Sequence, residues 1–351
     1  MNKLIREEYR GAKPPVNEAA GFETLLYCNE NPANLADEFF GKEAISRIAS
    51  LSFNRYPDCE AKELRSAYAE FLGCGAALEN IAAGNGSDEL LRSIGDVFLE
   101  AGETLMSCEP AFSVYKRAAS LAKGQYFEVV SERPDHRPEV SQVIREAKRR
   151  KAKVIAICTP HNPLGYAWPA EDLLRLRNET EGLLVVDEAY IEFSEKGSFF
   201  PYALSDSRVI VLRTMSKLFS LAALRIGFAI GSKENITALL CAVDMYNVNS
   251  FSQAFGVEML KKKKEIGVRL EALKASRDQM YDSLRSLGVA KVFPSEGNFF
   301  YLETPNAAKL AMTAASAGIL VRTYGDGLHL RVTVGSPEEN ERLLKAFQEA
   351  G

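Results

Sequence analysis

Paired cysteines, clustered histidines, long apolar runs and excess charge of either sign are all lacking in this chain of 351 residues. Its six cysteines (Cys28, Cys59, Cys74, Cys108, Cys158, Cys241) include no C-x-x-C pair, and its three histidines, His136, His161 and His329, stand far apart. That spacing argues against a zinc centre or a redox dithiol, so no metal is expected. Unpaired thiols fit a reducing, cytoplasmic compartment. No apolar stretch approaches the roughly eighteen residues of a membrane span. The first fifteen residues carry Lys3, Arg6, Glu7, Glu8, Arg10 and Lys13 instead of the apolar run of a signal peptide. Forty-three basic against forty-seven acidic residues leave a formal charge of −4 and a pI near 5.7, which gives no footprint for nucleic acid.

What is present is ordinary for a globular protein: 46% hydrophobic and 26% charged residues. At about 150 residues per domain the length implies two domains. Helical spacing covers Glu60 to Leu72, which stops at Gly73, and Ser87 to Leu99, opened by a glycine-rich turn. Short apolar runs then alternate with helical segments: 104–107, 126–130, 154–157, 183–186, 209–212 and 228–230. This pattern predicts βαβ units and a mainly parallel sheet. From about Asn247 the chain turns to long charged helices followed by runs at 298–303, 319–322 and 328–334, as in a smaller α+β domain. We expect an arm over 1–40 that contributes to the small domain and to dimer contacts, a large domain over 41–246 and a small domain over 247–351. The run Lys261 to Lys264, flanked by Glu258 and Glu265, reads as a solvated helix face.

Three of the apolar runs end in reactive residues. The first leads into Thr159-Pro160-His161-Asn162-Pro163, the second into Asp187-Glu188-Ala189-Tyr190 and the third into Arg213-Thr214-Met215-Ser216-Lys217. In a parallel sheet, ligands gather beyond the carboxyl ends of the strands, so Asn162, Asp187, Tyr190 and Lys217 would share one edge. An amine, a carboxylate, a phenol and an amide together meet the needs of pyridoxal 5'-phosphate. Lys217 would form the Schiff base, Asp187 would keep the pyridine nitrogen protonated, and Tyr190 with Asn162 would hold the ring hydroxyl. Ser216 and Arg225 would take the phosphate, as would the turn Gly84-Asn85-Gly86-Ser87-Asp88-Glu89, where Gly86, Ser87 and Asp88 open a helix N-terminus. Phe112 would stack on the ring. His161 reads as a pocket-shaping loop residue, His329 as structural and Cys158 as a small buried hydrophobe.

Six segments now stand in order: Asn29-Glu30-Asn31-Pro32, Arg55-Tyr56-Pro57-Asp58, Gly84 to Glu89, His161-Asn162-Pro163, Val186-Asp187-Glu188-Ala189-Tyr190, and Ser216-Lys217 through Arg225. Together they resemble the fold-type I aminotransferases, most closely the histidinol-phosphate aminotransferase family, over nearly the whole chain. The resemblance implies an aspartate aminotransferase-like large domain with a seven-stranded sheet, and a homodimer with shared active sites in which Tyr56 reaches the partner's cofactor phosphate. It also implies that Arg331 and Arg322, with Asn31 and Asn162, bind the substrate, whose anion is either a phosphate or a carboxylate. The chain departs from the family pattern at His161, Leu164 and Ala223.

The expected activity is transfer of an amino group from histidinol phosphate to a 2-oxo acid such as 2-oxoglutarate, a step of histidine biosynthesis, in two half-reactions. Lys217, Asp187 and Tyr190 are its catalytic residues. An aromatic amino acid is an alternative donor. A threonine-phosphate decarboxylase-like reaction is a second alternative, though no His-Gly-Gly-Asn occurs near the N-terminus. A non-catalytic cofactor-binding module of a transcription regulator would require a DNA-binding domain that no remaining segment supplies.

Overall fold

The computed structural model describes residues 4–6, 9–11, 13–14 and 16–351. Expectations that touch positions 1–3, 7–8, 12 and 15, including part of the N-terminal arm, lie outside the described residues. Twelve strands are described: β1 (Thr24–Leu26), β2 (Ile81–Asn85), β3 (Thr104–Cys108), β4 (Gln125–Val129), β5 (Val154–Cys158), β6 (Leu183–Asp187), β7 (Val209–Thr214), β8 (Ile226–Gly231), β9 (Lys291–Val292), β10 (Phe299–Glu303), β11 (Ile319–Thr323) and β12 (His329–Thr333). β2 to β8 form a seven-stranded sheet in the order β2-β8-β7-β6-β5-β3-β4. Only β8 is reversed, pairing antiparallel with β7 and with β2.

The apolar runs become central strands because they are covered on both faces. Every residue of β5, β6 and β7 is buried, and each fully buried Val, Ile or Leu contributes about 1.5–3 kcal/mol over leaving it in water. The covering helices present one apolar stripe each. In Val140–Arg150, for example, Val140, Val143, Ile144 and Ala147 are buried and the lysines and arginines close the solvated end. Helix Lys62–Leu72 begins two residues later than its periodicity predicts, because the Asp58 carboxylate first accepts the N–H groups of Glu60 and Lys62. It ends at Gly73, whose φ of 68° with ψ of −146° is a conformation that glycine alone adopts readily.

The second sheet has five strands in the order β1-β11-β12-β10-β9. β1 comes from the N-terminal arm and pairs parallel with β11. The chain leaving β1 therefore passes directly from the small sheet toward the ends of the large-sheet strands. Buried residues of helices 250–260 and 263–287 as far as Leu273 pack on the large-sheet core, whereas Met280 and Leu284 belong to the core of the small sheet. No helix among the described residues is long and apolar enough to cross a membrane.

Candidate active site

The alternation of side chains along a strand decides which of two adjacent acids faces the cavity. At the end of β6, Asp187 turns to one side, where its carboxylate accepts the Tyr115 hydroxyl at 2.8 Å and the Ala189 N–H at 3.2 Å. Glu188 turns to the other. It pairs with buried Arg213 at 3.1 Å and accepts the Phe199 N–H and the Ser198 hydroxyl, which makes it a structural group beneath the site.

Asp187 is 4% exposed, and burial pushes its carboxyl up to about 6, against the pull of the Tyr115 and Ala189 donors. A carboxylate this dry, held only by neutral donors, is short of a cationic partner. Lys217 follows β7 by three residues and lines the same cavity; its Nζ donates to the Cys28 carbonyl at 2.7 Å. Burial, and next the positive charge of Arg331, bring its amine down to about 8. The two groups are thus shifted toward each other's range, an arrangement typical of reactive sites.

A cavity of about 670 Å³ joins these residues, within the size range of cofactor sites. It gathers Lys217, Asp187, Tyr190, Asn162, Ser216, Arg225, Ser87, Asp88, Phe112, Arg322 and Arg331. The Asn162 amide donates to the Tyr190 hydroxyl at 3.4 Å and its Oδ1 accepts Arg331 Nη1 at 2.5 Å, while Arg331 Nη2 donates to the Tyr27 carbonyl at 2.5 Å. Arg331 Nε is buried without a hydrogen-bond partner. At the rim, Arg322 pairs with Glu18 at 3.0 Å and Arg225 with Asp88 at 3.2 Å. Gly86 has φ 81°, and a Cβ there would lie 2.6 Å from Arg225 Nη2, so only glycine lets the guanidinium reach the N-terminus of helix Ser87–Phe98. This is a cradle for an anion.

One expected site residue, Asn31, lies elsewhere, and Tyr56, expected at the partner's site, does not face its own cavity. Asn31 does not line the cavity; its amide donates to the Leu218 carbonyl at 2.8 Å and so braces the backbone next to Lys217. Asn29, two positions earlier, is the one that donates to the Tyr190 hydroxyl, at 3.1 Å. Tyr56 is 80% exposed and stacks on Tyr246 with ring centroids 4.5 Å apart, away from the cavity of its own chain. Tyr115 and Tyr324 were not anticipated. The first holds Asp187, and the second lines the cavity beside Arg322 and Arg331. His161 is buried beside the site, stacked on Tyr166 at 4.8 Å, and burial takes its ring down to about 4, so it is neutral at physiological pH.

The sequence matches the family model for aminotransferase class I and II over residues 28–347. A histidinol-phosphate aminotransferase of Caldanaerobacter subterraneus subsp. tengcongensis is 33% identical over 356 residues, covering 99% of both chains. Among solved structures, histidinol-phosphate aminotransferase from Sinorhizobium meliloti in complex with pyridoxal-5'-phosphate superposes with a TM-score of 0.85 at 22% identity, over 98% of this chain and 96% of that one. Aspartate aminotransferase from Thermus thermophilus with maleate gives 0.82 at 22% identity, over 99% of each chain. Two enzymes with different amino donors in their names share this architecture, so the fold alone does not select a donor. The match over residues 28–347 and the relative that spans the full length lead to one conclusion: the chain belongs to the class I and II aminotransferases.

Proposed function

We propose that this enzyme moves an amino group from histidinol phosphate to 2-oxoglutarate in two alternating half-reactions, using pyridoxal phosphate held in the cavity described above. The observation that carries the proposal is the pairing of a dry carboxylate, Asp187, with a lysine amine brought down to about 8 in one cavity whose rim carries an anion cradle. When bound, the cofactor supplies an electron sink for the bond broken at the substrate Cα.

The protein's own residues would do the rest. Asp187 would gain the cationic partner it lacks by sitting against the protonated pyridine nitrogen. Tyr190, with Asn162 and Asn29 already bonded or near its hydroxyl, would fix the ring oxygen. Phe112 would cover the ring face. Ser216, Arg225 and the amides at Gly86 to Asp88 would hold the phosphate, with Arg225 exchanging Asp88 for a dianion that its planar fork fits better. Lys217 would hold the cofactor covalently at rest. Once displaced by substrate, its Nζ would take the proton from the substrate Cα and return it to the cofactor carbon. Lowering of its basicity toward neutral pH favours that work.

Arg331 and Arg322 suit the phosphate end of the donor, and Arg331 is oriented for it by Asn162 and Tyr27. The name of the Caldanaerobacter relative supports histidinol phosphate as that donor. Exposed Phe53, Tyr56 and Met245 support a homodimer in which Tyr56 completes the partner's phosphate site. The two sheets support a large domain over 41–246 and a small domain over 247–351, to which the arm over 1–40 contributes. Six free cysteines support a cytoplasmic location. A panel of amino donors offered with 2-oxoglutarate and read by glutamate formation tests the proposal. Histidinol phosphate should give the highest kcat/KM. A higher value for an aromatic amino acid, or carbon dioxide release without glutamate, would overturn it.

A further inference from the structure

Distance along the chain conceals a second polar cluster, outside the cavity. β10 and β12 pair antiparallel in a register that sets Glu303 directly opposite His329, so the two side chains leave the same face of the small sheet. The segment between β4 and the helix 140–150 brings a third group there. The His136 ring lies 5.9 Å from the His329 ring, at 85° to it, and 5.8 Å from Phe293. One ligand-capable atom from each of His136, Glu303 and His329 lies within 4.8 Å of the other two. The separation of the histidines in sequence argues against a metal centre; the sheet register and one loop remove that separation for two of the three.

His329 has the form of a prepared ligand. Its Nδ1 donates to Asp326 Oδ2 at 2.6 Å, which leaves the lone pair on Nε2. That Nε2 is buried and has no hydrogen-bond partner among the described residues. The ring plane is fixed by Tyr301, stacked at 4.9 Å and 10°. Metal-binding histidines are held in this way, with the far nitrogen donating to a carboxylate that fixes the tautomer and raises basicity. Glu303 is oriented as well: Oε2 accepts Lys291 Nζ at 2.8 Å, and Lys291 is anchored on the Pro134 carbonyl at 2.9 Å, leaving Oε1 outside that contact. The Lys291 ammonium works against a nearby cation, and the Asp326 carboxylate behind His329 works for it.

From this geometry we infer that His136, Glu303 and His329 bind one divalent transition-metal ion, zinc by ligand preference, with water completing the coordination. Two imidazoles and a carboxylate suit zinc, whereas magnesium and calcium favour oxygen alone. Ligand atoms on a tetrahedral zinc, with bonds of about 2.0–2.1 Å, sit about 3.3 Å apart. The side chains therefore close by an ångström or so on binding, and His136, on a loop, is the one free to move. The bound ion would pin that large-domain loop to the ends of strands β10 and β12 in the small sheet.

The test uses tag-free holoenzyme, dialysed against chelator and titrated with Co²⁺, then with Zn²⁺ in competition. One Co²⁺ per chain should bind with the visible bands of a low-coordinate ion and be displaced by one Zn²⁺, while Mg²⁺ displaces none. X-ray absorption of the zinc form should show two imidazoles. His136→Gly, which keeps the left-handed backbone at φ 56°, and Asp326→Asn should each weaken binding by about tenfold or more while leaving the zinc-free melting curve in place. No stoichiometric ion in the unmutated protein, an absorption spectrum without imidazole, or an ion that His136→Gly binds equally well would overturn the inference.

Discussion

The floor of the candidate active-site cavity and its rim hold charge differently. On the floor, Asp187, Tyr115, Tyr190 and His161 are each at most 5% exposed, and the hydrogen bonds that hold them, Tyr115 on Asp187 and the Asn29 and Asn162 amides on Tyr190, are to neutral groups. Burial sets their protonation: Asp187 is driven up, His161 down, and the phenols well above their ordinary range. At the rim, Arg225 and Arg322 rest on Asp88 and Glu18, with side chains 43–53% exposed. Pairs so open to water are worth about 0–1 kcal/mol, so an incoming anion can replace either carboxylate at little cost. That contrast supports the proposed division of labour, with protons handled at the floor and anions at the rim.

The largest expected effect breaks the floor. Because the folded Asp187 binds its proton more tightly than the unfolded chain does, cofactor-free protein should lose stability as pH rises from about 4 to about 6. The loss should be ~2–3 kcal/mol, and Asp187→Asn should remove it. That variant should melt higher than the unmutated apoprotein in urea at pH 7 while turning over at least about a hundredfold more slowly. A lower midpoint at pH 7 would show that Asp187 is not a strained anion. Tyr115→Phe sharpens the same point from behind: losing a donor to a buried carboxylate costs about 1.5–3 kcal/mol, so kcat should fall by about tenfold or more and the pH-dependent loss of apo stability should grow.

Lys217 stands where floor meets rim. With its amine near 8, the rate of cofactor capture by apoprotein should rise about tenfold between pH 7 and pH 9, with a midpoint near 8. Arg331→Gln should move that midpoint upward, since Arg331 is the second cause of the lowering. The smallest effect belongs to the rim. Arg322→Gln should change the unfolding free energy in urea by no more than ~1 kcal/mol, yet raise KM for a phosphate-bearing donor with kcat nearly intact. Equal loss of stability and substrate binding would erase the distinction between the two regions.

The strand ends were legible because apolar runs that stop at a polar residue mark the carboxyl edge of a parallel sheet, and β5, β6 and β7 do this at adjacent positions in register. β2 was not legible. Its sequence, Ile81-Ala-Ala-Gly-Asn85, carries almost none of the β-branched or aromatic content that marks a strand, and pairing with β8 makes it one. The Asn29-Glu30-Asn31 segment shows a finer limit. In extended chain, residues two apart face the same side, but Asn29 takes φ 55°, which breaks the alternation and sends the two amides to different targets. Tyr115 gave no signal beyond following Phe112 by three positions on the helix 113–121. The grouping of His136 with Glu303 and His329 rests on pairings more than 160 residues apart in sequence, which no local pattern encodes.

The most direct measurement concerns the amine itself. Protein loaded with pyridoxal phosphate, reduced with borohydride and digested, should yield one modified peptide whose label maps to Lys217, and Lys217→Ala treated in the same way should yield none. A label on another lysine, or one that persists in Lys217→Ala, would contradict the site proposed here.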